Sequence, residues 1–312
     1  MSSDIRHPPP DAPLGDTAEL EREGLSVTPV TQWMLFRRRF VRHKLAMFSL
    51  AVLLLVVAAA LFAEQIAPYA FDEIDLRNRS RAPTLDGWHI LGTDKIGRDY
   101  FSRVLFGART SVRVAFTVAV LSTTIGTVVG AVAGYYRGWV DDLLMRLVDF
   151  ILAVPFLAVL LVAAAYLGRG SPMRVAVILA LLLWTNIARV VRGQYLSLRE
   201  KEFVEAARAS GAGDARIIFR HMLPNTLSPI IVNATLVVAL AILLESTLSF
   251  LGFGIQPPNP ALGKLIADGQ GSMLTQWWLV TMPGLVIVAI CLSINFIGDG
   301  LRDALDPTQP RR

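Results

Sequence analysis

Few side chains in this sequence have the types and spacing that chemistry requires, and those few point away from catalysis. The four histidines, His7, His43, His89 and His221, are far apart in the chain, and nothing groups them as metal ligands. Cys291 is the single cysteine, so no disulfide framework can form within one chain. There is no G-x-x-x-x-G-K-[ST] phosphate loop, no H-E-x-x-H zinc motif, no Cys-x-x-Cys and no G-x-S-x-G elbow. The expectation is a chain with no catalytic residues, no metal and no cofactor, which is not itself an enzyme. Two features still need a reason: a charged, patterned stretch at 205–224, and Glu245, a lone carboxylate inside an apolar segment.

The elements that carry these features are apolar blocks. Of the 312 residues 54% are hydrophobic, against about 45–50% in soluble domains. At roughly 20 apolar residues per bilayer crossing, uncharged runs at 45–63, 114–136, 150–168 and 277–297 each read as a span. Two further segments complete a count of six. The run 175–188 is short between Arg174 and Arg189, whose long side chains can reach back to the headgroups, and 226–253 contains Glu245.

Lys and Arg near span ends stay on the cytoplasmic side. Arg37, Arg38, Arg39, Arg42 and Lys44 precede the first run, which puts the N-terminus inside; six crossings then place 205–224, Arg302, Arg311 and Arg312 inside as well. The segment 256–276, assigned outside, carries only Lys264. The net charge of +5 is accounted for by these flanks, and no basic patch interleaved with aromatics suggests nucleic acid.

The expected organisation is a disordered cytoplasmic arm at 1–30 without a signal peptide, an amphipathic lead-in and first span at 31–63, and an extracytoplasmic segment at 64–110. A five-span core at 111–301 and a cytoplasmic tail at 302–312 follow. Within 99–113, aromatic and aliphatic residues alternate with Arg98, Arg103, Arg109 and Arg113, which suggests a helix lying at the membrane interface, or an irregular loop over its first half. Ser122, Gly126, Gly130 and Gly134 recur every four residues and so share one helix face, where missing side chains let another helix come close. Such a seam serves either plain packing or movement during transport.

The stretch 205–224 reads as a knob. Residues 200–210 are good helix formers, Gly211 can take the left-handed conformation that ends a helix, and 214–222 can form a second short helix stopped by Pro224. Glu205, Arg208, Arg216 and Arg220 fall on its polar faces. The knob is either simply solvated or inserted into a partner to transmit a push. An isolated carboxylate is costly within a bilayer, so Glu245 is expected to pair, with Arg113 and Arg146 among the possible partners, to protonate, or to line a cargo route. Arg146 and Asp149, three residues apart, are expected to pair. Asn233 and Asn295 either hydrogen-bond across helices or have no more than an ordinary place in their own helices.

The order E-A-A, three residues, G, nine residues, x-x-L-P resembles the coupling loop of permease subunits of binding-protein-dependent ATP-driven importers. The resemblance carries docking on a separate ATPase subunit to Glu205, Ala206, Ala207, Gly211, Leu223 and Pro224; His221 stands where the general pattern has isoleucine. His89-Ile90-Leu91-Gly92-Thr93-Asp94-Lys95-Ile96-Gly97-Arg98-Asp99 resembles the segment after the first span in the dipeptide, oligopeptide and nickel permease group. Gly134-Tyr135-Tyr136-Arg137-Gly138-Trp139, Leu248-Ser249-Phe250-Leu251-Gly252-Phe253-Gly254 and Trp277-Trp278 are similar to that group too, and the match resembles the second of its paired permeases.

The resemblance implies an all-α integral membrane protein of the cell membrane, with six transmembrane helices and both termini cytoplasmic. One N-terminal helix would precede the five-helix core of type I ABC importer permeases. It further implies a second permease subunit in a heterodimer, two ATP-binding subunits and an extracytoplasmic substrate-binding protein, all served by the lipid bilayer and not by nucleic acid. The cargo stays open among peptides, nickel and other small solutes. The competing reading is a stand-alone secondary transporter or channel driven through Glu245, which leaves the knob without a task.

Overall fold

A computed structural model of the chain describes residues 32–166 and 170–305. The arm expected at 1–30 and the tail from residue 306 onward lie outside the described residues. Among the described residues, regular structure is helical apart from two isolated β-bridges.

Helix α1 (Gln32–Arg42) leads into α2 (Lys44–Leu61), and His43 marks the turn between them by accepting the Ala46 N–H on Nδ1 at 3.1 Å. A connecting segment then leads to α3 (Tyr100–Tyr136), which is 37 residues long. At 1.5 Å per residue that is about 55 Å, well beyond the ~30 Å hydrocarbon core. Asp99 caps it, accepting Ser102 N–H (2.8 Å) and Ser102 O–H (2.7 Å), and no breaker interrupts the run that follows. The separate interfacial helix expected at 99–113 is therefore not found; those residues are the first turns of a spanning helix.

The run at 150–168 is not one straight span either. Helix α4 (Gly138–Ala153) and α5 (Phe156–Tyr166) meet at an 88° bend. Pro155 causes it, because a proline excludes helical geometry at the preceding residue, and Val154 is extended (φ −83°, ψ 139°). Helix α6 (Pro172–Leu198), α7 (Glu202–Ala209), α8 (Asp214–Phe250), α9 (Leu262–Gln270) and α10 (Trp278–Leu305) complete the chain. Helices α2, α3, α6, α8 and α10 are long and apolar enough to cross a membrane, and the bent pair makes a sixth crossing if counted as one span.

The centre of the bundle is the α3–α6 contact. A Cβ added to Gly126 would sit 2.6 Å from the Trp184 carbonyl oxygen, one at Gly134 would sit 2.6 Å from Tyr195 Cβ, and one at Gly130 would collide with the Ala188 carbonyl. The four-residue period thus places backbone against backbone. Rising numbers on α3 meet rising numbers on α6, so the two helices run parallel. The chain between them must return from one end of the bundle to the other, and α4 with α5 makes that return.

Candidate coupling site

The stretch after α6 folds as a short helix and a turn set against the ends of α3 and α6. In α7, Glu202 and Glu205 occupy the first turn and Arg208 the last, which complements the helix dipole. Gly211 ends it at φ +76°, with Ala212 N–H donating to the Ala207 carbonyl (3.0 Å) and Gly211 N–H to the Arg208 carbonyl (2.9 Å). That is a Schellman arrangement, in which half-buried Ala207 and Ala212 are the accompanying apolar pair. Beneath the knob Val204, Ile217 and Met222 are fully buried, while Glu205, Ala206, Gly211 and Pro224 are exposed and Leu223 is half-buried.

Pro224 does not stop the second helix, contrary to expectation. Residues Ile217–Met222 form a π-helical turn, closed by Leu223 N–H donating to the Ile218 carbonyl, and Pro224 opens the α-helical stretch beyond it. Proline is tolerated in a first turn, where its missing N–H would have had no helical partner, and the wide turn ahead of it supplies that position. The consequence is one rod, α8, from knob to far side. Tyr195 of α6 holds the wide turn by donating its hydroxyl to the Ile218 carbonyl at 3.0 Å. Arg137 at the end of α3 pairs with Glu200 (2.5 Å), so the knob is tied to both helices of the seam.

Glu245 lies elsewhere and is fully buried. Ser249 donates to its Oε1 and Ser111 of α3 to its Oε2, both at 2.7 Å. Neither arginine expected as its partner is paired with it. Arg113 is two residues beyond Ser111, about 200° around the helix, and is exposed. Asp149, expected to pair with Arg146, pairs instead with Arg189 of α6. Asn233 donates within its own helix, to the Pro229 carbonyl (2.8 Å), and not across helices.

At the end of the bundle opposite the knob, Asp94 organises the segment before α3. It accepts the Ile96 and Arg98 N–H groups (3.0 and 2.9 Å), Arg98 Nε (2.7 Å) and Arg103 Nη1 (2.5 Å). Burial alone would push this carboxyl up, but the Arg98 backbone N–H and the Arg103 and Arg98 guanidiniums outweigh it and hold it below the usual carboxylate range. His89 Nδ1 lies 2.9 Å from Asp99 Oδ1, and the Trp278 indole donates to the Thr93 carbonyl at 3.3 Å. A cavity of about 250 Å³ opens beside Lys95, Arg98, Arg103 and Asp268.

Residues 126–309, which include the seam, the knob and Glu245, match the family described as binding-protein-dependent transport system inner membrane component. Residues 31–83 match the N-terminal transmembrane domain of oligopeptide transport permease C. The chain belongs to this permease family. The oligopeptide transport system permease protein OppC of Escherichia coli K12 is 41% identical over 292 residues, 94% of this permease and 96% of that protein. OppC of Mycobacterium tuberculosis H37Rv is 43% identical over 271 residues, covering 86% and 92%. A Brucella abortus protein named as a peptide transport system permease is 44% identical over 276 residues, 88% of this permease and 91% of that protein.

The permease is thus a multi-pass inner membrane transport component. Of the six residues to which the resemblance gives docking, Glu205, Ala206 and Ala207 lie on α7, Gly211 ends it, and Leu223 and Pro224 follow the π-helical turn; four are exposed, and Ala207 and Leu223 are half-buried. Sequence reasoning did not assign Tyr135, Tyr195 or Arg137 a role, although Tyr135 and Arg137 lie in a quoted motif. Their partners are 23 to 79 positions away in the chain, beyond what helix periodicity reports.

Proposed function

We propose that this chain is one of the two permease subunits of an ATP-driven importer of peptides, with Glu205, Ala206, Ala207, Gly211, Leu223 and Pro224 forming the seat for an ATP-binding subunit. The observation that carries the reading is mechanical. An exposed knob is continuous with the 37-residue rod α8 and tied by side chains to the ends of α3 and α6. A displacement imposed on it reaches three spanning helices at once. Peptide as cargo is supported by the names of the relatives.

In this reading six crossings, with the bent α4–α5 pair as one, put both termini and the knob on the cytoplasmic side, alongside Arg37, Arg38, Arg39 and Arg42. The core 111–301 follows an N-terminal unit (31–63) and an extracytoplasmic segment (64–110). A second permease completes the path, two ATP-binding subunits supply the energy, and an external binding protein delivers cargo. Alternating access then follows from rocking of the two permeases about a fixed path. The stand-alone transporter reading gains nothing from Glu245, whose two oxygens are taken by serines away from solvent.

The test is Gly211→Trp in the complete complex reconstituted in vesicles. No atom lies within 4 Å of a Cβ at Gly211, so the bulk projects outward and the strain of its left-handed backbone costs about 1–2 kcal/mol. The expected outcome is normal membrane insertion with loss of cargo-stimulated ATP hydrolysis. Stimulation equal to that of the unmodified complex would sink the docking role.

A further inference from the structure

We infer that Tyr135, clamped by Arg208 and Asp214, is the joint through which movement of the knob is passed to α3; this rests on the docking role proposed above. Tyr135 is the second-last residue of α3 and is only 5% exposed. Its hydroxyl donates to Oδ1 of Asp214, the first residue of α8, at 2.7 Å. The Arg208 guanidinium, from the last turn of α7, lies 5.5 Å from the ring centroid. Arg199, just past α6, donates Nη1 to the Tyr135 carbonyl at 2.6 Å and lies 5.9 Å from the same ring. One residue at the end of α3 therefore touches α7, α8 and the end of α6.

The kinds of contact present divide the work. Apolar burial of Val204, Ile217 and Met222 holds the knob on the bundle but is non-directional, so it does not fix the angle. The hydroxyl–carboxylate bond and the guanidinium over the ring face are directional, and the charged acceptor makes the bond one of the stronger kind. Gly134, one residue earlier, sits against Tyr195 Cβ, and Tyr195 in turn holds the π-helical turn. Rotation of the knob thus meets α3 at Tyr135 and α6 at Tyr195, on either side of the closest approach of those helices. Tyr135 is a positioning residue: it sets how far knob movement becomes span movement.

The experiment compares Tyr135→Phe, Asp214→Asn and the double variant in the complete complex, reading cargo moved per ATP hydrolysed. Phenylalanine keeps the ring for Arg208 and removes only the hydroxyl. Each single variant is expected to lower this ratio about tenfold, the order set by one hydrogen bond to a charged group, and the double variant no further than the worse single. A merely structural residue would change the amount of complex and leave the ratio alone. Wild-type ratios in the singles, or defects that multiply in the double, overturn the proposal. If Tyr135→Phe is lost from the membrane, Arg208→Gln, altered at an exposed position, takes its place, and an unchanged ratio there also overturns it. A cysteine at Ala206, the one accessible thiol of this chain because Cys291 is its only native cysteine and is buried, is cross-linked to the ATP-binding subunits in parallel. Failure of that cross-link in the otherwise unmodified complex removes the docking role and the joint with it; a formed cross-link with unchanged ratios removes the joint alone.

Discussion

Replacing Gly130 with alanine should destabilise the bundle even though alanine is the better helix former. The added Cβ would collide with the Ala188 carbonyl oxygen and lie 2.9 Å from Val191 Cβ and 3.0 Å from the Arg192 nitrogen. Two of these three atoms belong to the α6 backbone, so no side-chain rotation relieves the contact. Carbon contacts settle at about 3.5–4.0 Å, so α6 must retreat by roughly 1 Å along its packed face, at an overpacking cost of about 1–3 kcal/mol. Helix propensity returns about 1 kcal/mol of this, leaving a net loss of up to about 2 kcal/mol. Gly193→Ala is the control: it lies in α6 with nothing within 4 Å of its added Cβ, so it keeps the propensity gain without the clash. The assay is thermal unfolding of each variant in detergent. A lower midpoint for Gly130→Ala alone is expected; a Gly130→Ala midpoint at or above wild type, or equal losses in both variants, would refute the close-approach argument.

Asp94→Ala should cost about 3–5 kcal/mol in the same assay, because it strands the buried Arg103 guanidinium without its carboxylate. The same carboxylate sets an acid limit. Its folded value is lowered from an unfolded value of 3.8, so its contribution is complete above that value and lost as pH falls through the lowered one. The fluorescence difference between wild type and Trp278→Phe, which reports the indole bonded to Thr93, should hold from pH 7 to about 4 and change only below. Glu245→Gln should leave cargo transport by the complete complex close to wild type, since the amide oxygen still accepts a serine hydroxyl; loss of transport in reconstituted vesicles would return Glu245 to the cargo route.

The spans were legible because a bilayer imposes length and apolarity on consecutive residues, and the seam was legible because Gly126, Gly130 and Gly134 repeat at the helix period. Pro155 and Pro224 divide along the same line. Each has a sequence rule, but the rule that applied depended on context: Pro155 broke an apolar run into two helices, and Pro224 began a helical stretch where a stop was expected. The partners of Glu245 were not legible, since Ser111 is 134 positions away and a serine hydroxyl carries no charge pattern to search for. A search for opposite charge pointed at Arg113, on the wrong side of the same helix. A count of uncharged residues does not report that the spanning helix begins at Tyr100, because Arg103 is buried against Asp94 beyond the apolar stretch.

The π-helical turn at Ile217–Met222 acts as a phase setting. A wide turn is an α-helix with one residue inserted, and one residue advances a helix by about 100°. The knob and the span of α8 are thus offset by that angle from what a uniform helix would give them. Take the extra residue away and the span is untouched, but Asp214 swings off Tyr135 and the exposed face of the knob turns with it. The direction in which this permease presents its knob is therefore encoded by how many residues the turn contains as well as by which ones they are.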